Sequence, residues 1–171
     1  MKAQLSQIKL LLLDVDGVLT NGQITYTDSG AQVKSFNSKD GLGIRLLMDA
    51  GIQVGIVTGR TSGALRHRCE NLGLDLLFDG IKDKSKSIET ISQQMGIAPE
   101  KMAFMGDDLI DLPAMTRVGF SVAVADAVPE VRQQADFITR AKGGQGAVRE
   151  FCELILKSNG LWDKILESYL K

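Results

Sequence analysis

Two aspartates that lie one residue apart are the strongest chemical signal in the sequence. Asp14 and Asp16 follow an apolar run over residues 8–13 that only Lys9 interrupts. Such a run predicts a buried strand, and the two carboxylates point to the same side of the extended chain, so they can converge on one small charged object. Gly17 lets the backbone turn away at once. The alternative interpretation is a strand end that carries two solvated aspartates.

Polar residues also follow two later apolar runs. Thr58 comes directly after the run 52–57, and Asp107 and Asp108 follow the run 101–105 with one glycine between. A charged turn at 82–86 carries three lysines, and we expect one of them to face the same place. Crowded carboxylates repel one another, so the economical explanation of this set is a hard divalent cation with oxygen ligands, most simply Mg²⁺.

The same residue types indicate phosphate chemistry. Mg²⁺ sites leave coordination positions for phosphate oxygens, while a Thr hydroxyl and a Lys ammonium supply the hydrogen-bond donor and the positive charge that an anionic group requires. The strand ends offer no Ser-His-Asp set, no cysteine nucleophile and no histidine base. The nucleophile is therefore expected to be a carboxylate that forms an aspartyl-phosphate.

Alternating strands and helices must hold these residues together. The pattern predicts an α/β fold with a doubly wound, mostly parallel, Rossmann-like sheet and helices on both faces, in which right-handed crossovers bring the carboxyl ends of the strands to one edge. The predicted strands are 8–13, 52–57, 74–78, 101–105, 119–124 and 137–138. The predicted helices begin at 38 or 40, at 62 and near 84, and further helices are 128–134, 147–157 and 161–170.

The segment after the first strand differs from the rest of the chain. Two short alternating runs, 23–26 and 32–36, are separated by Thr27, Asp28, Ser29 and Gly30, which predicts a projecting β-hairpin. A partly polar hairpin of this size cannot bury itself. We therefore expect a substrate or another subunit to cover it.

Composition limits the remaining possibilities. With 171 residues and no linker-like stretch, residues 1–171 are expected to form a single domain. A net charge of −1 provides no basic field, so neither nucleic acid nor a membrane is an expected partner. Lys9 interrupts what would otherwise resemble a signal sequence, which predicts a cytoplasmic protein. Cys69 and Cys152 stand far apart, so neither a zinc site nor a disulfide is expected.

Four motifs in this order resemble those of the haloacid dehalogenase superfamily of phosphatases. They are DVDGVLT at 14–20, TGR at 58–60, Lys84, and GDDLID at 106–111. The absence of an inserted cap domain, the hairpin, SFNSKDGLGI at 35–44 and GGQGAVRE at 143–150 are similar to the family of 3-deoxy-D-manno-octulosonate 8-phosphate phosphatases. This second resemblance extends over nearly the whole chain.

The resemblance assigns roles to individual residues. It implies that Asp14 is the nucleophile, that Asp16 is the general acid and base, and that Thr58 and Lys84 hold the phosphoryl group. The implied ligands of Mg²⁺ are Asp14, the Asp16 carbonyl and Asp107. The residues expected to bind the substrate are Asp16, Asn37, Ser38, Lys39, Asp40, Gly41, Arg45, Gly59, Arg60, Arg68 and Lys84.

The resemblance also implies a substrate and an assembly. The expected reaction is hydrolysis of a small sugar acid phosphate, 3-deoxy-D-manno-octulosonate 8-phosphate, in lipopolysaccharide precursor synthesis. The expected assembly is a homotetramer in which the hairpin at about 23–36, and in some members the C-terminal tail at about 159–171, closes a neighbour's site.

Several alternatives remain open from the sequence. Asp108 and Asp111 are as well explained as helix-capping residues as by a role in the site, and they are left out of the metal shell. Another substrate, such as N-acylneuraminate 9-phosphate, shares the carboxylate, the polyol and the primary phosphate. A non-enzymatic phospho-accepting receiver domain uses similar residue types on a similar sheet, although in a different order.

Overall fold

A six-stranded parallel sheet forms the centre of the computed structural model, which describes all of residues 1–171. In chain order the strands are β1 (Leu10–Leu13), β2 (Thr25–Tyr26), β3 (Gln32–Val33), β4 (Gln53–Val57), β5 (Leu76–Phe78), β6 (Met102–Gly106), β7 (Phe120–Ala123) and β8 (Phe137–Ile138). The sheet order is β5-β4-β1-β6-β7-β8, and every neighbouring pair is parallel. The predicted fold class is therefore confirmed.

Helices cover the sheet on both faces. They are α1 (Lys2–Leu5), α2 (Ser38–Asp49), α3 (Gly63–Leu72), α4 (Lys84–Met95), α5 (Leu112–Met115), α6 (Pro129–Gln134), α7 (Ala147–Ser158) and α8 (Trp162–Tyr169). One group packs around α7, which contacts α1, α2 and α8, and a second group places α5 against α4 and α6. Because β1, β6 and β7 are buried along their whole length, both faces of the sheet are closed to water.

The apolar interior is one connected cluster of 40 buried residues. It joins the strands to the inward faces of the long helices, and this continuity supports the proposal that residues 1–171 form one domain. Cys69 and Cys152 are buried and unpaired. No helix combines the length and the apolar character that a membrane crossing would require.

The hairpin projects as expected, and it forms a separate sheet. β2 and β3 pair antiparallel, with Thr25 opposite Val33 and Tyr26 opposite Gln32, and they join no other strand. Gly30 has a φ of +80° in the connecting turn, a conformation that glycine adopts without strain. Two short helices, α1 and α5, were not predicted, because four residues are too few to show a helical period.

The central position of β1 organises the edge at which the polar residues meet. β1 lies between β4 and β6, and Leu13 is in register with Ile56 on one side and with Met105 on the other. The three strands therefore end at nearly the same height, and the residues that follow them enter one crevice.

Candidate active site

Three adjacent strand ends supply the floor of the candidate active site. Asp14 follows β1, Thr58 follows β4, and Asp107 follows β6. The backbone N–H of Asp14 still donates to the Met105 carbonyl, at 3.1 Å, so Asp14 is fixed by the ladder of the sheet. The prediction that the polar strand ends meet at one edge is confirmed by this topology.

A buried lysine joins two buried aspartates. Lys84, the first residue of α4, places its Nζ 2.6 Å from Asp14 Oδ1 and 2.6 Å from Asp111 Oδ1. All three side chains are almost inaccessible to water. Burial alone would lower the pKa of Lys84, but the charges of Asp14 and Asp111 outweigh burial and raise this pKa. Lys84 is therefore a fixed positive charge beside the end of β1.

Asp14 keeps its negative charge at neutral pH in this setting. Burial, together with the charge of Asp111, raises the pKa of Asp14 to about 6, while Lys84 opposes the increase. A carboxylate of this kind is ionised and poorly hydrated. Both properties favour a nucleophile, because little solvation has to be lost before attack.

Asp111 lies in the site, a role that the sequence alone could not distinguish from helix capping. Its carboxylate is fully buried: Oδ1 binds Lys84, and Oδ2 accepts from the backbone N–H groups of Asp107 at 2.9 Å and of Asp108 at 3.3 Å. Asp108 caps the 3₁₀ turn Leu109–Asp111 by accepting from the Leu109 N–H. Asp111 is thus both part of a capping box and a partner of Lys84, and only the capping role has a signature in sequence.

Asp107 is a carboxyl group whose pKa is strongly raised. Its side-chain oxygens accept no hydrogen bond from the protein, and it lies against Gly17, where an added Cβ would come within 2.0 Å of Asp107 Oδ2. Burial, and then the charges of Asp111 and Asp14, raise the pKa of Asp107 to about 8. An acid in this state is stabilised in its charged form by a cation.

The donor set fits Mg²⁺. Carboxylate oxygens of Asp14, Asp107 and Asp111 lie within 4.8 Å of one another, and three carboxylates face only one ammonium group, that of Lys84. Both oxygens of Asp111 are already engaged by N–H donors, whereas the oxygens of Asp107 are free. Asp14 and Asp107 are therefore the side chains best able to hold the metal, and Asp111 is best able to orient them.

The chain after β4 contributes a hydroxyl and an exposed cation. Thr58 is buried, its N–H donates to the Phe78 carbonyl at 2.9 Å, and its carbonyl accepts from the Ile81 N–H at 3.0 Å. Its Oγ1 accepts from the Arg60 N–H at 3.4 Å, which curls the exposed Gly59 and Arg60 over the strand end. This turn brings Arg60 to within 3.8 Å of the Asp16 carboxylate.

Asp16 lies in the turn after β1, between two cations. Arg60 Nε is 3.8 Å from its Oδ2, and Lys34, which directly follows β3, donates to its Oδ1. Lys34 was not among the residues expected in the site. No sequence signal distinguishes this lysine from the exposed residues around it, because its partner is 18 positions away along the chain.

Some of the other residues that we expect to bind the substrate lie near the turn after β1, and the rest lie elsewhere. Asn37 caps α2 through the Lys39 N–H, and its Nδ2 donates to the Gly144 carbonyl at 3.3 Å. Gly144 in turn donates to the Val18 carbonyl at 2.9 Å, so Asn37 reaches the loop that contains Asp16 through one intermediary. Arg68 donates to the Asn37 carbonyl at 3.0 Å, and it lies so close to Gly41 that a Cβ there would be 2.3 Å from its Nη2.

Four of the expected substrate residues form no hydrogen bond or ion pair with the residues at the strand ends: Ser38, Lys39, Asp40 and Arg45. Asp40 is buried, and its Oδ1 accepts from the Arg149 N–H at 2.8 Å in the first turn of α7, whose N-cap is a glycine. Burial raises the pKa of Asp40. Ser38 and Lys39 are exposed at the start of α2, and exposed Arg45 donates to the Asn71 carbonyl at 3.1 Å.

Known proteins are similar to this chain over almost its whole length. A family profile described as haloacid dehalogenase-like hydrolase matches residues 77–151. The 3-deoxy-D-manno-octulosonate 8-phosphate phosphatase of Escherichia coli (strain K12) is 46% identical over 162 residues, which are 95% of this chain and 86% of that protein.

Solved structures match equally well. The 3-deoxy-D-manno-octulosonate 8-phosphate phosphatase of Yersinia pestis superposes with a TM-score of 0.93 at 43% identity, covering 95% of this chain and 88% of that one. The enzyme of the same name from Moraxella catarrhalis, in complex with a magnesium ion, a phosphate ion and a KDO molecule, gives a TM-score of 0.96 at 38% identity and covers 98% of this chain and 97% of its own.

Proposed function

The chain belongs to the 3-deoxy-D-manno-octulosonate 8-phosphate phosphatase family of haloacid dehalogenase-like hydrolases, and from this membership we propose that it hydrolyses that sugar acid phosphate in a Mg²⁺-dependent reaction. The products are the free sugar acid and phosphate, and the reaction serves lipopolysaccharide precursor synthesis. The observation that carries the proposal is the buried Asp14–Lys84–Asp111 group beside Asp107 at the end of the central strand.

Asp14 is the nucleophile of the proposed mechanism. One of its carboxylate oxygens forms a bond to phosphorus while the bond between phosphorus and the sugar oxygen breaks, and the electron pair of that bond goes to the sugar oxygen. Lys84 fixes the attacking carboxylate, and with the Thr58 hydroxyl it binds the phosphoryl oxygens. When bound by Asp14, Asp107 and the Asp16 carbonyl, Mg²⁺ supplies positive charge that offsets the negative charge gathering on these oxygens.

Asp16 moves the protons. Its carboxyl group first gives a proton to the departing sugar oxygen, and its carboxylate then takes a proton from the water that attacks the aspartyl-phosphate. The second step breaks the bond between phosphorus and the Asp14 oxygen, so Asp14 returns to its starting state. The position of Asp16 two residues after Asp14, in the turn that directly follows β1, supports this division of roles.

Recognition of the sugar acid is assigned to the cations around the crevice. Arg60 lies beside Asp16, and Arg68 with Asn37 borders the loop that packs on the turn after β1. Planar guanidinium groups bind carboxylates with two hydrogen bonds, and a sugar acid offers a carboxylate as well as the phosphate. Ser38, Lys39, Asp40, Gly41, Arg45 and Gly59 complete the proposed substrate set.

Assembly as a homotetramer in the cytoplasm is part of the proposal. The hairpin exposes three apolar side chains, of Ile24, Tyr26 and Val33, and Tyr26 is 60% exposed. A two-stranded sheet that presents apolar groups on its surface is stabilised when another subunit covers it. With no inserted cap in the chain, a neighbour's hairpin would exclude water from the site.

Steady-state phosphate release tests the proposed substrate. We expect kcat/KM for 3-deoxy-D-manno-octulosonate 8-phosphate to exceed that for N-acylneuraminate 9-phosphate by more than about tenfold, which corresponds to ~1.4 kcal/mol of transition-state binding. Asp14→Asn is the matched control for contaminating phosphatases, because it leaves the shape of the site intact while removing the nucleophile. Equal or higher kcat/KM for the nine-carbon substrate would contradict the proposal.

A further inference from the structure

Lys34 is a buried lysine to which the mechanism above gives no role. Its side chain is 2% exposed, although its main chain follows the exposed hairpin strand β3. Every lysine in the chain except Lys34 and Lys84 is exposed. Because removing an ammonium group from water costs several kcal/mol unless it is paired, a buried lysine requires a specific partner.

The partner of Lys34 is Asp16. The ammonium group donates to Asp16 Oδ1, and no other group hydrogen-bonds to the Asp16 carboxylate. The second cation near Asp16 is weaker as an anchor, since Arg60 Nε is 3.8 Å from Oδ2 and its side chain is 55% exposed. Lys34 is thus the group that fixes the direction of the Asp16 side chain.

Fixing that direction matters because Asp16 lies in a turn and not in a strand. Gly17, with a φ of +96°, turns the backbone away immediately after it, so the sheet does not orient the Asp16 carboxyl. A proton-transfer group that is free to rotate spends part of its time out of reach of the reacting oxygen. A buried hydrogen-bond partner removes this freedom.

We propose that Lys34 is a positioning residue for Asp16, which it holds in the orientation that proton transfer requires. The inference rests on the phosphatase function proposed above and adds a residue to it. Lys34 acts through Asp16 and does not contact the reacting atoms. Since Lys34 directly follows β3, the hairpin that is proposed to cover a neighbour's site also carries the group that orders its own chain's acid and base.

The first test is Lys34→Met, which keeps the length and apolar stem of the side chain and removes the ammonium group. We expect kcat for the sugar acid phosphate to fall by about 10- to 100-fold, a part of the ~10²- to 10⁴-fold that general acid–base catalysis supplies, with KM changed less than about threefold. Lys34→Arg retains a cationic donor and should recover most of the lost kcat. The matched control is Lys86→Met, at an exposed lysine in α4.

A double-mutant cycle separates positioning from other roles. In an Asp16→Ala background, Lys34→Met should lower kcat by less than about twofold further, because the group through which it acts is gone. A full additional loss in that background, or an increase of KM with kcat unchanged, would show that Lys34 binds the substrate directly and would overturn the inference. A kcat within about threefold of the unsubstituted enzyme would overturn it as well.

Two further measurements distinguish loss of function from loss of folding, and the role of Lys34 from the identity of the substrate. Thermal melting of Lys34→Met, with and without Mg²⁺, identifies a variant that has unfolded, and Lys34→Gln, which removes the charge but keeps a polar group, then replaces it and should show a fall of kcat in the same direction. Repeating the cycle with p-nitrophenyl phosphate distinguishes the two proposals. If the unsubstituted enzyme hydrolyses only this small ester, the proposed substrate is wrong, whereas a cycle with no coupling between Lys34 and Asp16 on either ester overturns the role of Lys34.

Discussion

Replacing Asp107 by asparagine should stabilise the metal-free protein while removing its response to Mg²⁺. Asp107 has a pKa of about 8 in the fold against 3.8 for a free aspartate, first because it is buried and then because Asp111 and Asp14 repel its charge. The group therefore binds a proton more tightly in the folded than in the unfolded chain. Its contribution to the free energy of unfolding becomes more unfavourable as the pH rises from about 4 to about 8, and is constant above that.

The size of the effect follows from the same quantities. In the unfolded chain an aspartate loses its proton near pH ~4, which is about three pH units below pH 7. At ~1.4 kcal/mol per unit, the destabilisation of the fold by Asp107 at pH 7 has an upper limit of ~4 kcal/mol. Asp107 is only partly buried, so solvent screening reduces this figure to about 2 kcal/mol. For a chain of this length, about 2 kcal/mol shifts the melting temperature by roughly 4–8 °C.

Thermal melting in EDTA and in saturating Mg²⁺ measures the effect. In EDTA at pH 8, Asp107→Asn should melt above the unsubstituted protein, and the difference should shrink as the pH falls towards 4. Mg²⁺ should raise the melting temperature of the unsubstituted protein and have little effect on the variant, because a ligand stabilises only a state that binds it. Asp108→Asn is the matched control, since it removes the same charge one residue away, at an exposed position.

Two results would refute this reasoning. A melting temperature of Asp107→Asn at or below that of the unsubstituted protein, in EDTA at pH 8, would show that the charge of Asp107 does not destabilise the metal-free fold. The assignment of the metal site fails if Mg²⁺ stabilises the variant as much as it stabilises the unsubstituted protein.

Three further outcomes are expected. Asp16→Ala should lower kcat by ~10²- to 10⁴-fold, and it should also lower the melting temperature because it leaves buried Lys34 without its partner, and a loss of kcat of less than about tenfold in a steady-state assay would count against its role in proton transfer. Asp111→Ala leaves Lys84 without one of its two buried partners and should cost about 3–5 kcal/mol in urea unfolding, with a cost under about 1 kcal/mol as the contrary result. Replacing Ile24, Tyr26 and Val33 together by serine should yield smaller assemblies in light scattering and a lower kcat/KM for the sugar acid phosphate than for p-nitrophenyl phosphate, and an unchanged assembly with unchanged kinetics would exclude the hairpin as interface and cap.

The sequence predicted the fold because its local signals agree with one another. Apolar runs that end in Asp14, Thr58 and Asp107 are strands buried on both faces, and a parallel sheet places their ends together whatever the details of the loops. The order of the motifs was then sufficient to assign chemistry. The strand boundaries differ by one or two residues, since sheet pairing and not composition decides where a strand stops.

The sequence could not predict contacts that depend on how distant segments pack. Asp111 looks like a capping residue in sequence, and its contact with Lys84 exists only because the start of α4 comes beside the loop after β6. Lys34 looks like any polar residue beside an edge strand, and its contact with Asp16 exists only because the end of the hairpin comes beside the turn after β1, 18 positions away along the chain. Asp40 lies in segment 35–44, which resembles the phosphatase family. Its contact with the first turn of α7, however, follows from the packing of α2 on α7.

Identification of the covalent intermediate tests the proposed mechanism most directly. Asp16→Asn should be mixed with p-nitrophenyl phosphate and Mg²⁺, quenched in acid and analysed by peptide mass spectrometry, because the leaving group of this ester departs without a general acid, whereas loss of the base still slows hydrolysis of the aspartyl-phosphate. We expect a phosphoryl group on Asp14, and it should be absent when EDTA replaces Mg²⁺. A phosphoryl group on another residue, or no phosphoryl enzyme while the unsubstituted protein releases phosphate from this substrate, would contradict the proposed mechanism.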